Sequence, residues 1–205
     1  MQHVAVFLQA LWIGLAIAAP VGPIGLLVIQ RTLDHGRAVG LATGLGAAAA
    51  DACYGAVGAF GVVVVMQALQ AARVPLALFG GAMLLWLAWK SWVAVPAERA
   101  AEVAASPGLF ASFAATFALT LSNPATILSF IAIFAAMGAR QSSGALLPVP
   151  LVLGVLAGSA LWWLLLSAVV ARLRHHIGVP ARRWVGRVSA LLLAAFALWQ
   201  WAGLW

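Results

Sequence analysis

The chain has 205 residues, of which 65% are hydrophobic and only 7% are charged, and its mean hydropathy is +1.09. This composition excludes an ordinary soluble domain and predicts an all-α polytopic membrane protein. A net charge of +7 could suit nucleic-acid binding. The basic residues, however, gather at the ends of the apolar stretches, so we expect contact with membrane lipid and none with nucleic acid.

Six apolar stretches are long enough to cross the hydrocarbon core, which takes about 20 helical residues. They predict about six transmembrane helices, at Val4–Ile29, Ala38–Met66, Val74–Val95, Leu109–Met137, Leu146–Ala171 and Trp184–Trp205.

The distribution of Lys and Arg predicts the orientation. Nine of these residues lie in or next to the first, third and fifth loops, whereas only Arg73 and Arg140 lie on the opposite side. Because basic loops stay in the cytoplasm, both termini are predicted to be extracytoplasmic.

Residues 96–107 form the longest polar stretch and are predicted to be a cytoplasmic loop. The loop divides a single membrane domain, residues 1–205, into half-repeats of about 1–95 and 108–205. Three spans in each half force the halves into opposite orientations, so we predict two inverted three-helix repeats. The spacing from Gly46 to Asp51 equals that from Gly154 to Ser159, which favours this duplication.

A proline-marked break, Ala19–Gly25, interrupts the first span. Pro20 and Pro23 lack the backbone N–H, and Gly22 and Gly25 permit close approach of the backbone. A helix that restarts here presents N–H groups to a carboxylate, and the unwound backbone presents carbonyl groups to an ammonium. The alternative is a plain kink.

The fourth span contains a second break, at Ser122, Asn123 and Pro124. Broken spans at matching places in the two halves are typical of the substrate site of a secondary transporter. We therefore predict that Pro20, Gly22, Pro23, Gly25, Ser122, Asn123 and Pro124 contribute to substrate binding. The polar side chains at the second break could also satisfy the backbone groups that the break frees, and the two roles are not exclusive.

Asp51 is the only carboxylate deep within a predicted span. An Asp at the centre of a membrane helix costs roughly 2.5–3.5 kcal/mol, a cost usually kept for function. We predict that Asp51 binds substrate, couples transport to protons, or does both. The alternative is a structural acceptor that pairs with Tyr54, Ser159 or freed backbone N–H groups.

Several other features carry less information. The single Cys53 excludes an internal disulfide, and the pair His175-His176 lies in a basic loop without a neighbouring carboxylate. The glycine pairs 40/44 and 154/158 predict close helix packing and permit a homodimer. No Gly-rich phosphate-binding motif is present, and we expect neither an enzyme nor a cofactor.

The motifs resemble those of the LysE/RhtB family of amino-acid exporters. The residues that carry the resemblance are Pro20-Val21-Gly22-Pro23-Ile24-Gly25, Val28, Gly36-Arg37, Gly40, Gly44, Gly46, Asp51, Tyr54 and the later Ser122-Asn123-Pro124-Ala125. It implies a multi-pass protein of the bacterial inner membrane that exports amino acids or related metabolites. It further implies that an ion gradient drives export, for which we expect proton antiport.

Two positions depart from the family pattern. Ala125 stands where many members have Lys after Asn-Pro, and Ile24-Gly25 stands where exporters of basic amino acids commonly have Gln-Asn. Lysine or arginine as substrate is therefore not favoured, although Asp51 occurs in some of those exporters. The alternative function is metal-cation efflux on the same scaffold, with Asp51, Cys53 and Tyr54 as the candidate ligands.

Overall fold

The computed structural model describes residues 2–20, 22–60, 68, 71–93, 108–123, 126–133 and 148–204. Within these ranges the protein is helical and contains no strand. The helices are α1 (Gln2–Ala18), α2 (Pro23–His35), α3 (Arg37–Ala59), α4 (Arg73–Val93), α5 (Leu109–Leu121), α6 (Thr126–Ile133), α7 (Pro148–Leu173) and α8 (Val179–Ala202). A single 3-10 turn, Arg174–His176, precedes α8. The predicted cytoplasmic loop, residues 96–107, lies outside the described residues.

The first break divides the first span into α1 and α2, which meet at 78°. Gly22 is the N-cap residue of α2, and Pro23 occupies its first turn, where the missing N–H of proline costs no intrahelical bond. The Gly22 N–H donates to the Pro20 carbonyl at 2.8 Å, and the Leu26 N–H donates to the Gly22 carbonyl at 3.1 Å. The chain therefore turns sharply and starts a new helix.

The second break separates α5 from α6, which meet at 61°. The Asn123 N–H donates to the Thr120 carbonyl at 3.2 Å, and the Asn123 carbonyl accepts from the N–H groups of Thr126 and Ile127. The Leu121 carbonyl accepts from the Tyr54 hydroxyl at 2.6 Å. Local turns and one tyrosine thus satisfy backbone groups that the break releases, as an apolar environment requires.

Three of the described helices are long and apolar enough to cross a membrane alone: α4, α7 and the Arg183–Ala202 part of α8. The two bent pairs raise this number to five if each pair is one span. The remaining predicted span corresponds to α3, which is 23 residues long but rich in Gly and Ala and carries Asp51. The all-α polytopic architecture is confirmed.

Small residues allow the helices to pack closely. A Cβ atom at Gly154 or Gly158 of α7 would overlap the backbone of α1 at Phe7 or Leu11. A Cβ atom at Gly46 of α3 would overlap the backbone of α5 in the same way. The predicted packing role of the glycine pair in α7 is confirmed, because each member contacts a neighbouring backbone.

Helix α2 extends further than the sequence predicts, since it ends only at His35. Gly36 follows with φ of 92°, a conformation that L side chains rarely adopt, and its N–H donates to the Thr32 carbonyl. Arg31, predicted to lie in a loop, is therefore helical. Its guanidinium donates to the Thr43 hydroxyl at 3.2 Å and to the Ser112 carbonyl at 3.3 Å, which joins α2 to α3 and α5.

Candidate functional site

A cavity of about 240 Å³ lies where the two breaks meet α3, α7 and α8. The first break and its flanks supply Ile17, Ala18, Pro20, Gly22, Pro23, Ile24 and Gly25. The second break supplies Thr120, Asn123, Thr126 and Ser129, and the rest of the wall is Ala47, Asp51, Trp163 and Phe196. Segments more than a hundred residues apart in sequence thus enclose one space.

Six of the eight residues predicted to bind substrate line this cavity: Pro20, Gly22, Pro23, Gly25, Asp51 and Asn123. Ser122 is not among the lining residues. Its hydroxyl instead donates to the carbonyls of Ala118 at 2.7 Å and Leu119 at 3.2 Å, within the last turn of α5. Pro124 lies outside the described residues.

Asp51 borders the cavity although its side chain is only 3% exposed. Its Oδ2 atom accepts a hydrogen bond from the Ser159 hydroxyl at 2.8 Å, and that hydroxyl accepts one from the Trp163 indole Nε1 at 3.2 Å. Two α7 side chains therefore fix the position of a carboxyl group on α3. Tyr54, another partner considered from the sequence, donates to the Leu121 carbonyl instead.

Trp163 can pack against α3 at the cavity wall because the residues of α3 at this contact are small. A Cβ atom at Gly44 would overlap the Trp163 side chain, and the neighbouring Ala47 and Ala48 are small. The sequence analysis did not single out Trp163. Its spacing of four residues from Ser159, which places both on one helix face, is the signal that could have found it.

The N-terminus of α2 also lies at the cavity. The first N–H groups of a helix lack intrahelical acceptors, and the aligned peptide dipoles place a partial positive charge there. Pro23 has no N–H to offer, so the available groups nearest the N-cap belong to Ile24 and Gly25, both of which line the cavity. This end of the cavity attracts negative charge.

The site thus combines a carboxyl group with a helix N-terminus inside one small cavity. Asp51 suits a cationic group, and the start of α2 suits an anionic group. Among the described residues, no group of three or more His, Cys, Asp or Glu side chains is arranged to hold a metal ion.

Comparisons with known proteins show the family to which the chain belongs. Residues 15–199 match the family model for the LysE type translocator. The chain is 31% identical over 177 residues to the Escherichia coli K12 "Uncharacterized membrane protein YahN", covering 84% of this chain and 78% of the relative. It is 26% identical over 201 residues to the Bacillus subtilis 168 "Putative amino acid efflux protein YcgF", covering 95% and 94%. No solved structure matches the chain. The chain, a multi-pass membrane protein with a cavity between two broken helices, belongs to the LysE type translocator family.

Proposed function

We propose that this transporter exports amino acids from the bacterial cytoplasm across the inner membrane by proton antiport. One observation carries this proposal: Asp51 and the N-terminus of α2 border the same cavity. Membership of a translocator family supports the transport function. The name of the Bacillus subtilis relative refers to amino acid efflux, which supports this class of substrate.

An amino acid carries an ammonium and a carboxylate on the same carbon atom. The N–H groups of Ile24 and Gly25 at the start of α2 are suited to bind the carboxylate, because the helix dipole favours negative charge there. Asp51 is suited to bind the ammonium. Both groups border the same cavity, so one ligand there could contact both.

Asp51 also offers a simple mechanism of coupling. A buried carboxylate without a cationic partner is costly, so it binds either a proton or the substrate ammonium. Because one carboxyl group serves both, the two ligands compete, and exchange of one for the other gives antiport. The Ser159 hydrogen bond keeps the carboxyl group in position during this exchange.

Rocking of the two halves of the chain against each other would then expose the cavity to each side of the membrane in turn. The cavity is suited to such a motion because its walls come from both halves, with Asp51 in the first and Asn123, Trp163 and Phe196 in the second.

The test is efflux of labelled amino acids from preloaded proteoliposomes, with and without an imposed proton gradient. Asp51→Asn keeps the shape of the side chain and an oxygen that can accept from Ser159, but it cannot exchange a proton. We expect it to insert normally and to lose gradient-driven efflux. Asp34→Asn, which removes a carboxylate from the other end of α2, is the matched control and should retain efflux.

Normal gradient-driven efflux in a well-inserted Asp51→Asn variant would rule out the coupling role of Asp51. Gradient-driven efflux of a divalent metal cation, with no amino acid moved, would favour the alternative function instead.

A further inference from the structure

The wall of the cavity contains apolar side chains as well as a charged one. Ile17 and Ile24 contribute aliphatic groups to its wall, and Trp163 and Phe196 contribute aromatic rings. Among the described residues that line it, Asp51 is the only charged side chain. The wall therefore offers one carboxyl group and one helix N-terminus for charge. The uncharged polar side chains of Thr120, Asn123, Thr126 and Ser129 and the apolar groups make up the rest of it.

A third charge on the ligand would find no oppositely charged side chain among the described residues of this wall. The described carboxylate nearest in sequence to the start of α2, Asp34, lies about 13 Å further along that helix than Gly25, at 1.5 Å per residue. Arg31 is also directed elsewhere, because its guanidinium bonds to Thr43 and Ser112. A charge that is buried without an oppositely charged partner is strongly unfavourable, which disfavours basic and acidic side chains.

The volume indicates the size of side chain that suits the cavity. A dry apolar cavity of about 150 Å³ can bind benzene, whereas drug-sized ligands occupy about 300–1,000 Å³. At about 240 Å³, this cavity suits an amino-acid head group with a branched aliphatic or single-ring side chain.

A second, smaller cavity lies next to this one, and Phe196 lines both. The second cavity is about 10 Å³, about the space that one water molecule needs, and its other lining residues are Gly80, Leu84, Leu119 and Gln200. Pro23, Ile24, Asn123 and Phe196 border both spaces. Of these four, Phe196 has the largest side chain, so its truncation would enlarge the main cavity and join the two.

We propose that the exported amino acid has an uncharged, apolar side chain that packs against Trp163 and Phe196, and that Phe196 sets the upper limit on its size. This conclusion rests on the proposed export of amino acids. Trp163 is the fixed part of the wall, because its indole donates to Ser159 and its ring lies against α3. Phe196 is the part that determines specificity.

The experiment measures efflux from proteoliposomes loaded with valine, leucine, tryptophan, lysine or glutamate. We expect the wild type to export valine and leucine well above background, and lysine and glutamate at background. Phe196→Ala should raise the rate of tryptophan relative to valine at least about tenfold, since even one methylene group in an apolar pocket changes selectivity by about 10–200-fold.

Phe196→Leu is a second test in case Phe196→Ala does not fold. It should raise the tryptophan-to-valine efflux ratio as well, but by less. Leu198→Ala is the matched control on α8, because Leu198 is 57% exposed and outside the lining, and it should leave the ratio unchanged.

The outcomes separate this proposal from the function on which it rests. Export of lysine or glutamate as fast as leucine would overturn the substrate class while leaving amino-acid export intact. An unchanged tryptophan-to-valine ratio in folded Phe196 variants would overturn the role of Phe196. Absence of efflux for every amino acid from inserted wild-type protein would overturn amino-acid export itself.

Discussion

Asp51, Ser159 and Trp163 form a hydrogen-bonded chain that joins the two halves of the sequence at the cavity. All three side chains are buried, so each polar atom depends on the others for its partner. Leaving a buried donor or acceptor unsatisfied costs about 1–3 kcal/mol. These hydrogen bonds therefore hold the Asp51 carboxyl group in place within apolar surroundings that would otherwise disfavour it.

Replacement of Ser159 tests this positioning role. We expect Ser159→Ala to lower the free energy of unfolding by about 1–3 kcal/mol, because Asp51 and Trp163 both lose a partner. We also expect the KM for efflux to rise, because the carboxyl group is no longer held toward the substrate. Thermal unfolding in detergent and concentration-dependent efflux measure the two effects.

The control is Ser167→Ala on the same helix. Ser167 is also buried, but its hydroxyl donates only to the Leu164 carbonyl of its own helix, at 3.1 Å. It should leave the KM near the wild-type value. An unchanged KM in Ser159→Ala would contradict the positioning role, whatever its effect on stability.

At the level of helices, the contact between α1 and α7 depends on the absence of side chains. A Cβ atom at Gly158 would overlap the Leu11 carbonyl, and neither backbone can move without separating the helices. We expect Gly158→Ala to destabilise the protein by about 1–3 kcal/mol, the usual cost of overpacking, as measured by thermal unfolding.

A second glycine provides the comparison. A Cβ atom at Gly55 of α3 would meet Val155 at 3.6 Å, an ordinary van der Waals distance. Gly55→Ala should therefore be neutral or stabilising, since Ala favours a helix more than Gly by about 1 kcal/mol. Equal effects of the two substitutions would show that close packing does not distinguish these positions.

The sequence predicted both helix breaks because proline and glycine act through local backbone chemistry. Pro23 begins α2 and Asn123 joins α5 to α6, close to the places expected. The sequence also predicted that Asp51 lies deep within a span, because it is a lone carboxylate in an apolar stretch. The partner of Asp51 remained open among several candidates, since pairing depends on how distant helices meet.

Phe196 and Ser122 show where the sequence was insufficient. Phe196 is one of 9 phenylalanines in an apolar chain, and nothing local distinguishes a ring that faces a cavity from one that faces lipid.

Ser122 was predicted to bind substrate because it precedes Asn123. A helical serine can instead bond a carbonyl of the preceding turn, and its rotamer cannot be inferred from composition.

At the scale of the whole molecule, two helix contacts occupy corresponding places in the two parts of the chain. Gly154 of α7 lies against Phe7 of α1, and Gly46 of α3 lies against Phe113 of α5. Exchanging the halves converts one contact into the other, since α1 and α5 begin the two halves. We propose that these contacts reflect the predicted inverted repeat, with Asp51 and Ser159 as equivalent positions that meet between the halves.

The proposed orientation places the basic end of α8 in the cytoplasm and its other end outside. Gly178 precedes α8 and Gly203 follows it, so cysteines introduced there report opposite sides. In a Cys53→Ser background, we expect an impermeant maleimide to label Gly203→Cys in intact spheroplasts. Gly178→Cys should react only after permeabilisation. The reverse pattern would show that the termini face the cytoplasm.

The most direct test of proton-coupled export is the movement of protons driven by an amino acid. Proteoliposomes carrying a trapped pH-sensitive dye would receive an outward leucine gradient without any imposed proton gradient. Antiport predicts acidification of the lumen with the wild type and none with Asp51→Asn. Leucine efflux from the wild type without proton uptake, or equal acidification with Asp51→Asn, would contradict a mechanism in which substrate and proton exchange at Asp51.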